Sequence, residues 1–383
     1  MSFTASKRSQ VAPFFAMEMF NAASALQAQG KEILHLSLGQ PGFPPPRKAL
    51  ERVAEAALED PLGYTNAPGI TLLRQRIADY YLKTHGVTIP AERVFVTVGS
   101  SAAYILALLT AFDAGAKVAM AAPHYPASPN MLRALDMEPV IMPAGRESFF
   151  HPTVEMLEQL PEKPDGLLVA SPSNPTGTVI PELQLRELAV YCQSKNIRLI
   201  SDEIYHGITY GGVKAVSALS TGDEHIILNS FSKYYRLPGW RLGWCVLPEE
   251  LLRPAECLLQ NMYISPPTVS QYAAMTAMEE TEDLDRVVAA YNRNRIRLSE
   301  TLNRVGLVNY PEPDGAFYIY VDLAGHGEDS NTFCQRMLNE AGVCSVPGID
   351  FDAQHGRRFV RFSYCSAEED VAKACERLEH WMR

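Results

Sequence analysis

Leu167-Leu168-Val169-Ala170-Ser171-Pro172-Ser173-Asn174-Pro175-Thr176-Gly177, then the stretch Pro181 to Lys195, then Ile197-Arg198-Leu199-Ile200-Ser201-Asp202-Glu203-Ile204-Tyr205, is the segment that decides the fold. Its two short apolar runs are separated by leucines at helical spacing (Leu185, Leu188), with Pro181 suited to a first turn. That order reads as strand, crossover helix, strand, which is the unit of a parallel sheet. Working outward, similar runs recur at Val94 to Val98, Lys117 to Ala121, Pro139 to Met142, His225 to Asn229 and Gly243 to Leu247. Helical spacing recurs at Pro46 to Glu59 and Ser101 to Phe112. The expectation is an α/β fold with a mixed, mostly parallel sheet of seven strands.

After Pro266-Pro267 the texture changes. A helix, a long charged helix from Asp283 to Val305, strands at Ala316 to Asp322 and Arg358 to Ser363, and a helix from Ala367 to Met382 suggest a smaller α+β unit. The amphipathic segment Val11 to Gln29 and the run Ile33 to Leu38 are expected to pack against it. The predicted division is a large unit over residues 46–282 and a discontinuous small one over 1–45 and 283–383.

The 383 residues are 47% hydrophobic and 20% charged, enough for a large packed interior. A formal net charge of −10 argues against nucleic acid or an anionic membrane surface as a general partner. The longest apolar stretch, Ala102 to Phe112, falls well short of the roughly 20 residues a bilayer span needs, and no export signal follows Lys7 and Arg8. A cytoplasmic location is expected. Seven scattered cysteines without a Cys-x-x-Cys pair read as reduced thiols, and nine histidines without ligand spacing leave no expected metal site.

In an open α/β sheet, ligands bind beyond the carboxyl ends of the strands. Gly99-Ser100-Ser101 follows Val94 to Val98 and opens a helix, presenting hydroxyls and backbone N–H groups to an anion; taken alone it is an ordinary helix cap. Tyr125 follows Lys117 to Ala121 and suits either the face of an aromatic ligand or a half-buried core position. Asn174 sits between two prolines in the next turn. Asp202 and Tyr205 leave Ile197 to Ser201, where an aspartate is either a cap or a carboxylate buried against a cation. Ser230, Ser232 and Lys233 follow His225 to Asn229, with Arg241 beyond; a lone lysine is by default a solvated charge.

Taken together, Ser-Pro-Ser-Asn-Pro-Thr-Gly (171–177), Ser-Asp-Glu-Ile-Tyr (201–205) and Ser-Phe-Ser-Lys (230–233) with Gly-Trp-Arg-Leu-Gly (239–243) resemble the class I/II aminotransferases, enzymes of fold type I that depend on pyridoxal 5′-phosphate. The similarity runs from Leu36 to Ser363. It implies that Lys233 carries the cofactor covalently and moves the substrate proton, and that Asp202 pairs with the pyridine nitrogen. It also implies that Asn174 and Tyr205 face the phenolic oxygen and that Tyr125 covers the ring. The phosphate falls to Gly99, Ser100, Ser101, Ser230, Ser232 and Arg241, joined by Tyr64 from a neighbouring subunit, so a homodimer with shared active sites is implied. Arg361 matches the residue that clamps the substrate α-carboxylate, with Gly39 close by.

The implied reaction moves an amino group from an amino acid to a 2-oxo acid by a ping-pong route. Dicarboxylate-specific relatives carry a second cation, but Leu258 to Thr268 holds no Lys or Arg and the phosphate turn has Ser101. Neutral, aromatic or sulfur-containing donors are therefore expected, with Phe14, Phe15 and Met17 placed to line the pocket. A lyase on the same residues and a non-catalytic amino-acid sensor are the alternatives. Gly325-His326-Gly327-Glu328-Asp329 is read as a surface loop, because its two carboxylates repel phosphate.

Overall fold

The computed structural model describes residues 4–383. Its strands are β1 (Leu34–His35), β2 (Val94–Thr97), β3 (Lys117–Ala122), β4 (Glu138–Pro143), β5 (Gly166–Ala170), β6 (Arg198–Asp202), β7 (Ile226–Ser230), β8 (Gly243–Val246), β9 (Tyr318–Asp322), β10 (Val343–Cys344), β11 (Val346–Pro347) and β12 (Phe359–Ser363). Seven of them form one sheet in the order β2-β8-β7-β6-β5-β3-β4, in which only β8 runs against its neighbours. The α/β expectation is met.

The alternation along these strands explains why the sheet must be covered on both faces. Leu167, Val169, Leu199, Ile227 and Trp244 pack into one apolar layer, while Leu168, Ile200, Ile226, Leu228 and Cys245 pack into the other. Helix Glu182–Lys195 supplies the crossover read from Pro181, which sits at its N-cap. The run Val94 to Val98 is one residue shorter as a strand, because Val98 becomes the N-cap of helix Gly99–Ala111. A helix at Thr71–His85, not named from sequence, buries Leu73, Ile77 and Tyr81 at four-residue spacing and ends at Gly86 in the left-handed region.

A second apolar cluster surrounds the three-stranded antiparallel sheet β11-β12-β9. Leu34, Leu36, Phe317, Ile319, Phe362 and Tyr364 belong to it, together with Tyr205 and Tyr210 from the far side of β6. The two ends of the chain meet where β1 pairs in parallel with β10. Helix Phe15–Ala28 therefore lies beside strands made more than three hundred residues later. No helix among the described residues is long and apolar enough to cross a membrane, and the seven cysteines are free thiols.

Candidate active site

The carboxyl ends of the parallel strands open into a cavity of about 600 Å³. Its floor is set by sheet register. Ala170, Asp202 and Leu228 are neighbours across β5, β6 and β7, and Ser230, Gly243 and Thr97 are neighbours across β7, β8 and β2. Side chains that leave the strands at this line share one mouth, which is where topology places ligands in this architecture.

Asp202 ends β6 as a buried carboxylate. One oxygen accepts the Tyr104 hydroxyl at 2.5 Å and the other accepts the Ile204 N–H at 3.1 Å. Burial raises its pKa to about 6, against the opposing pull of these two donors and of Lys233. It is still mostly ionised at neutral pH, and a cation beside it would favour that form further. Lys233 is also buried; its Nζ donates to the Gly39 carbonyl at 2.5 Å. Burial lowers this amine to about 8, with Cys365 and Asp202 opposing and Arg361 assisting. A neutral amine near physiological pH is a competent nucleophile and proton carrier, which a solvated lysine is not.

Arg361, in β12, is buried against two rings, with its guanidinium carbon 4.4 Å from the Tyr318 centroid and 4.8 Å from that of Phe351. Nη1 donates to Asn174 Oδ1 at 2.9 Å and Nη2 to the Ser37 carbonyl at 2.6 Å. Its Nε is buried with no partner, a donor awaiting an acceptor. Gly39 is glycine for a steric reason: a Cβ there would come within 2.8 Å of the Tyr318 hydroxyl. That hydroxyl in turn bonds Tyr205 at 2.8 Å.

At the other end of the cavity, helix Gly99–Ala111 points its N-terminus inward, with Ser100 and Ser101 on the wall. Arg241 lies across it, held by Nη1 to the Pro238 carbonyl at 2.9 Å. Gly99 has φ +77°, and a Cβ there would be 2.4 Å from Arg241 Nη2. Helix dipole, hydroxyls and guanidinium thus make an anion cradle in an acidic protein. Gly99→Ala is expected to displace Arg241 and weaken binding of a phosphate-bearing ligand by about tenfold, with a smaller loss of stability; equilibrium binding measurements check it.

The expected site residues do not all face the cavity. Asp202, Tyr205, Asn174, Ser100, Ser101, Tyr125, Ser232, Lys233, Arg241, Gly39 and Arg361 line it. Ser230 is turned inward, its hydroxyl donating to Ser232 Oγ at 2.7 Å, so it orders the loop from behind. Tyr64 is 84% exposed and does not line the cavity. Phe14 and Met17 are on the wall, but Phe15 instead lines a separate apolar groove beside Leu338. Four residues went unread in the sequence: Tyr104, Tyr318, Asp350 and Phe351.

Residues 31–378 match the family model of the aminotransferases of class I and II. Over 378 residues the chain is 42% identical to the valine–pyruvate aminotransferase of Mycobacterium tuberculosis, covering 98% of this chain and 97% of that protein. It is 30% identical to a probable aspartate/prephenate aminotransferase of Aquifex aeolicus, covering 98% and 97%. Among solved structures, an aminotransferase from Mycobacterium tuberculosis superposes with a TM-score of 0.97 at 41% identity, covering 100% of this chain and 99% of that one. The aspartate aminotransferase of Thermus thermophilus with maleate gives 0.91 at 31%, covering 99% and 100%. With a buried lysine, a buried carboxylate and an arginine packed against two rings converging at the strand ends, the chain belongs to the class I and II aminotransferases.

Proposed function

We propose that this protein is a pyridoxal-phosphate-dependent aminotransferase whose preferred donor is a neutral L-amino acid. The observation that carries the reading is the meeting of Lys233, Asp202 and Arg361 in one cavity with the Gly99 to Ser101 turn and Arg241. The donor set fits the cofactor group by group. Ser100, Ser101, Ser232, Arg241 and the helix N-terminus would hold the phosphate, with Ser230 supporting Ser232. Asp202 would pair with the ring nitrogen, Asn174 and Tyr205 would serve the phenolic oxygen, and Tyr125 would cover the ring. When bound, pyridoxal phosphate supplies an electron sink for the substrate Cα–H electrons.

The chain's own residues do the rest. Arg361 grips the α-carboxylate and fixes the orientation of Cα. Lys233, as neutral amine, would take the proton from the donor Cα and deliver it to C4′ of the cofactor. Asp202, with a pKa of about 6, is mostly ionised at neutral pH, and its buried negative charge would attract a protonated ring nitrogen placed beside it. The donor leaves as a 2-oxo acid before the acceptor enters, so Arg361 serves both in turn.

The neutral preference rests on charge accounting. Lys233, Arg241 and Arg361 are the cations on the cavity wall, and each already has a task. Phe14, Met17 and Phe20 line the outer part. The relative named as a valine–pyruvate aminotransferase supports the same lean. Steady-state rates with valine, alanine, phenylalanine and methionine are expected to exceed those with aspartate by about tenfold or more in kcat/KM, with 2-oxoglutarate and pyruvate compared as acceptors. A strong preference for aspartate rejects the neutral assignment.

We also assign residues 46–282 to a cofactor-binding unit and 1–45 with 283–383 to a smaller one, working as a homodimer. Supporting the dimer, exposed Tyr64 and Ile264 stand beside two turns that are tied together by Thr65 N–H to Ser265 and by the Thr268 hydroxyl to the Gly63 carbonyl. An apolar patch braced in this way suits a subunit contact.

A further inference from the structure

Helix Phe15–Ala28 begins without a side-chain cap of its own, because Phe14 occupies the N-cap position. The cap is supplied from 334 residues away. One Asp350 oxygen accepts the Phe15 N–H at 3.1 Å and the other accepts the Ala16 N–H at 3.0 Å. Asp350 is buried, lies on the cavity wall, and adjoins Phe351, whose ring covers Arg361. Asp202 and Asp350 are the two acidic residues on that wall. Asp202 is already assigned to the cofactor; Asp350 lines the same cavity as Phe14, Met17 and Phe20, and its bonds to Phe15 and Ala16 place it beside the segment that carries them.

We propose that Asp350 determines donor specificity: its carboxylate repels amino acids with an anionic side chain, and its two hydrogen bonds hold the apolar segment that receives neutral ones. A helix N-terminus carries about half a positive charge, so the cap leaves about half of the carboxylate's charge uncompensated. Arg361 offsets that remainder in the free protein, but a bound α-carboxylate consumes the arginine. A second carboxylate on the donor then meets Asp350 with no cation between them, in a water-poor wall where like charges are costly. Neutral side chains feel no such field and gain the aromatic and methionine surface. The acid thus selects by exclusion.

This inference rests on the aminotransferase reading of the cavity, and the test keeps the two apart. Holoenzyme carrying Asp350→Asn, Asp350→Ser or Asp350→Glu is mixed with aspartate or valine alone, and the visible absorbance change is timed. Binding of maleate, a dicarboxylate with no amino group, is measured by calorimetry on the same proteins. Removing the charge is expected to raise the aspartate-to-valine rate ratio and to tighten maleate binding, each by about tenfold. Asp350→Glu, which keeps the charge, is expected to keep the wild-type ratio. The serine variant retains a capping hydroxyl, so a loss of fold in the asparagine variant does not decide the matter. Unchanged ratios and unchanged maleate affinity in the neutral variants overturn the proposal, as does an equal fall for both donors. If no donor alters the spectrum of the wild type, the transamination reading fails, while the maleate series still decides the role of Asp350.

Discussion

Lys233→Ala is expected to lower transamination by about 10⁴-fold or more, because in the proposed mechanism one side chain both bonds the cofactor and carries the Cα proton. The variant should also lack a pH-sensitive visible band when pyridoxal phosphate is added; a band that persists and still titrates would remove Lys233 from this role. The amine's pKa of about 8 adds a sign that can be checked. Covalent capture of a small aldehyde by the wild type should rise as pH increases through about 8, since the neutral amine is the nucleophile. For stability the fold binds fewer protons than the open chain between about 8 and the ordinary 10.5. Unfolding free energy contributed by this group therefore rises with pH across that window, and below it Lys233 is a standing cost. The alanine variant should consequently melt no lower than wild type near neutral pH, which separates lost chemistry from lost fold.

Arg361→Lys is expected to lower kcat/KM for every donor and acceptor by about 10² to 10³-fold, despite keeping the charge. The guanidinium is a plane packed against the rings of Tyr318 and Phe351, with separate donors for Asn174 and Ser37. An ammonium cannot stack on those rings, and it leaves at least one of those buried acceptors unpaired. The loss should appear with amino acids and 2-oxo acids alike. A primary amine without a carboxylate should react equally slowly with both proteins. If the lysine variant matches wild type in KM and kcat, the α-carboxylate is held elsewhere.

What could be read from the sequence was whatever local pattern and strand-end position determine. The β5 to β6 unit, with Pro181 starting the crossover helix, follows from periodicity and turn chemistry alone, as does the placing of Asn174, Asp202 and Lys233 beyond strand ends. Tyr104 was hidden because it lies in the apolar helix Gly99–Ala111, where an aromatic reads as core; only its hydroxyl, aimed at Asp202, makes it part of the site. Tyr318 falls inside the expected strand Ala316 to Asp322 and Phe351 in no marked pattern, and only the fold brings both rings against Arg361. Asp350 caps a helix 334 residues away, and no local pattern records such a partner. For Ser230 the position is legible in the sequence but not the rotamer: its hydroxyl bonds Ser232 and the Leu242 carbonyl.

The contacts of Arg361 also bear on the order in which the molecule comes into being. The seven strands of the large sheet are complete at Val246, and with them Asp202, Lys233 and Arg241. Arg361 and Phe351 are translated only much later, and Ser37, whose carbonyl Arg361 binds, has been waiting since the beginning. A growing chain can thus complete the wall that carries the buried lysine and carboxylate before the guanidinium joins it. That last group arrives only when the two ends of the polypeptide close on each other.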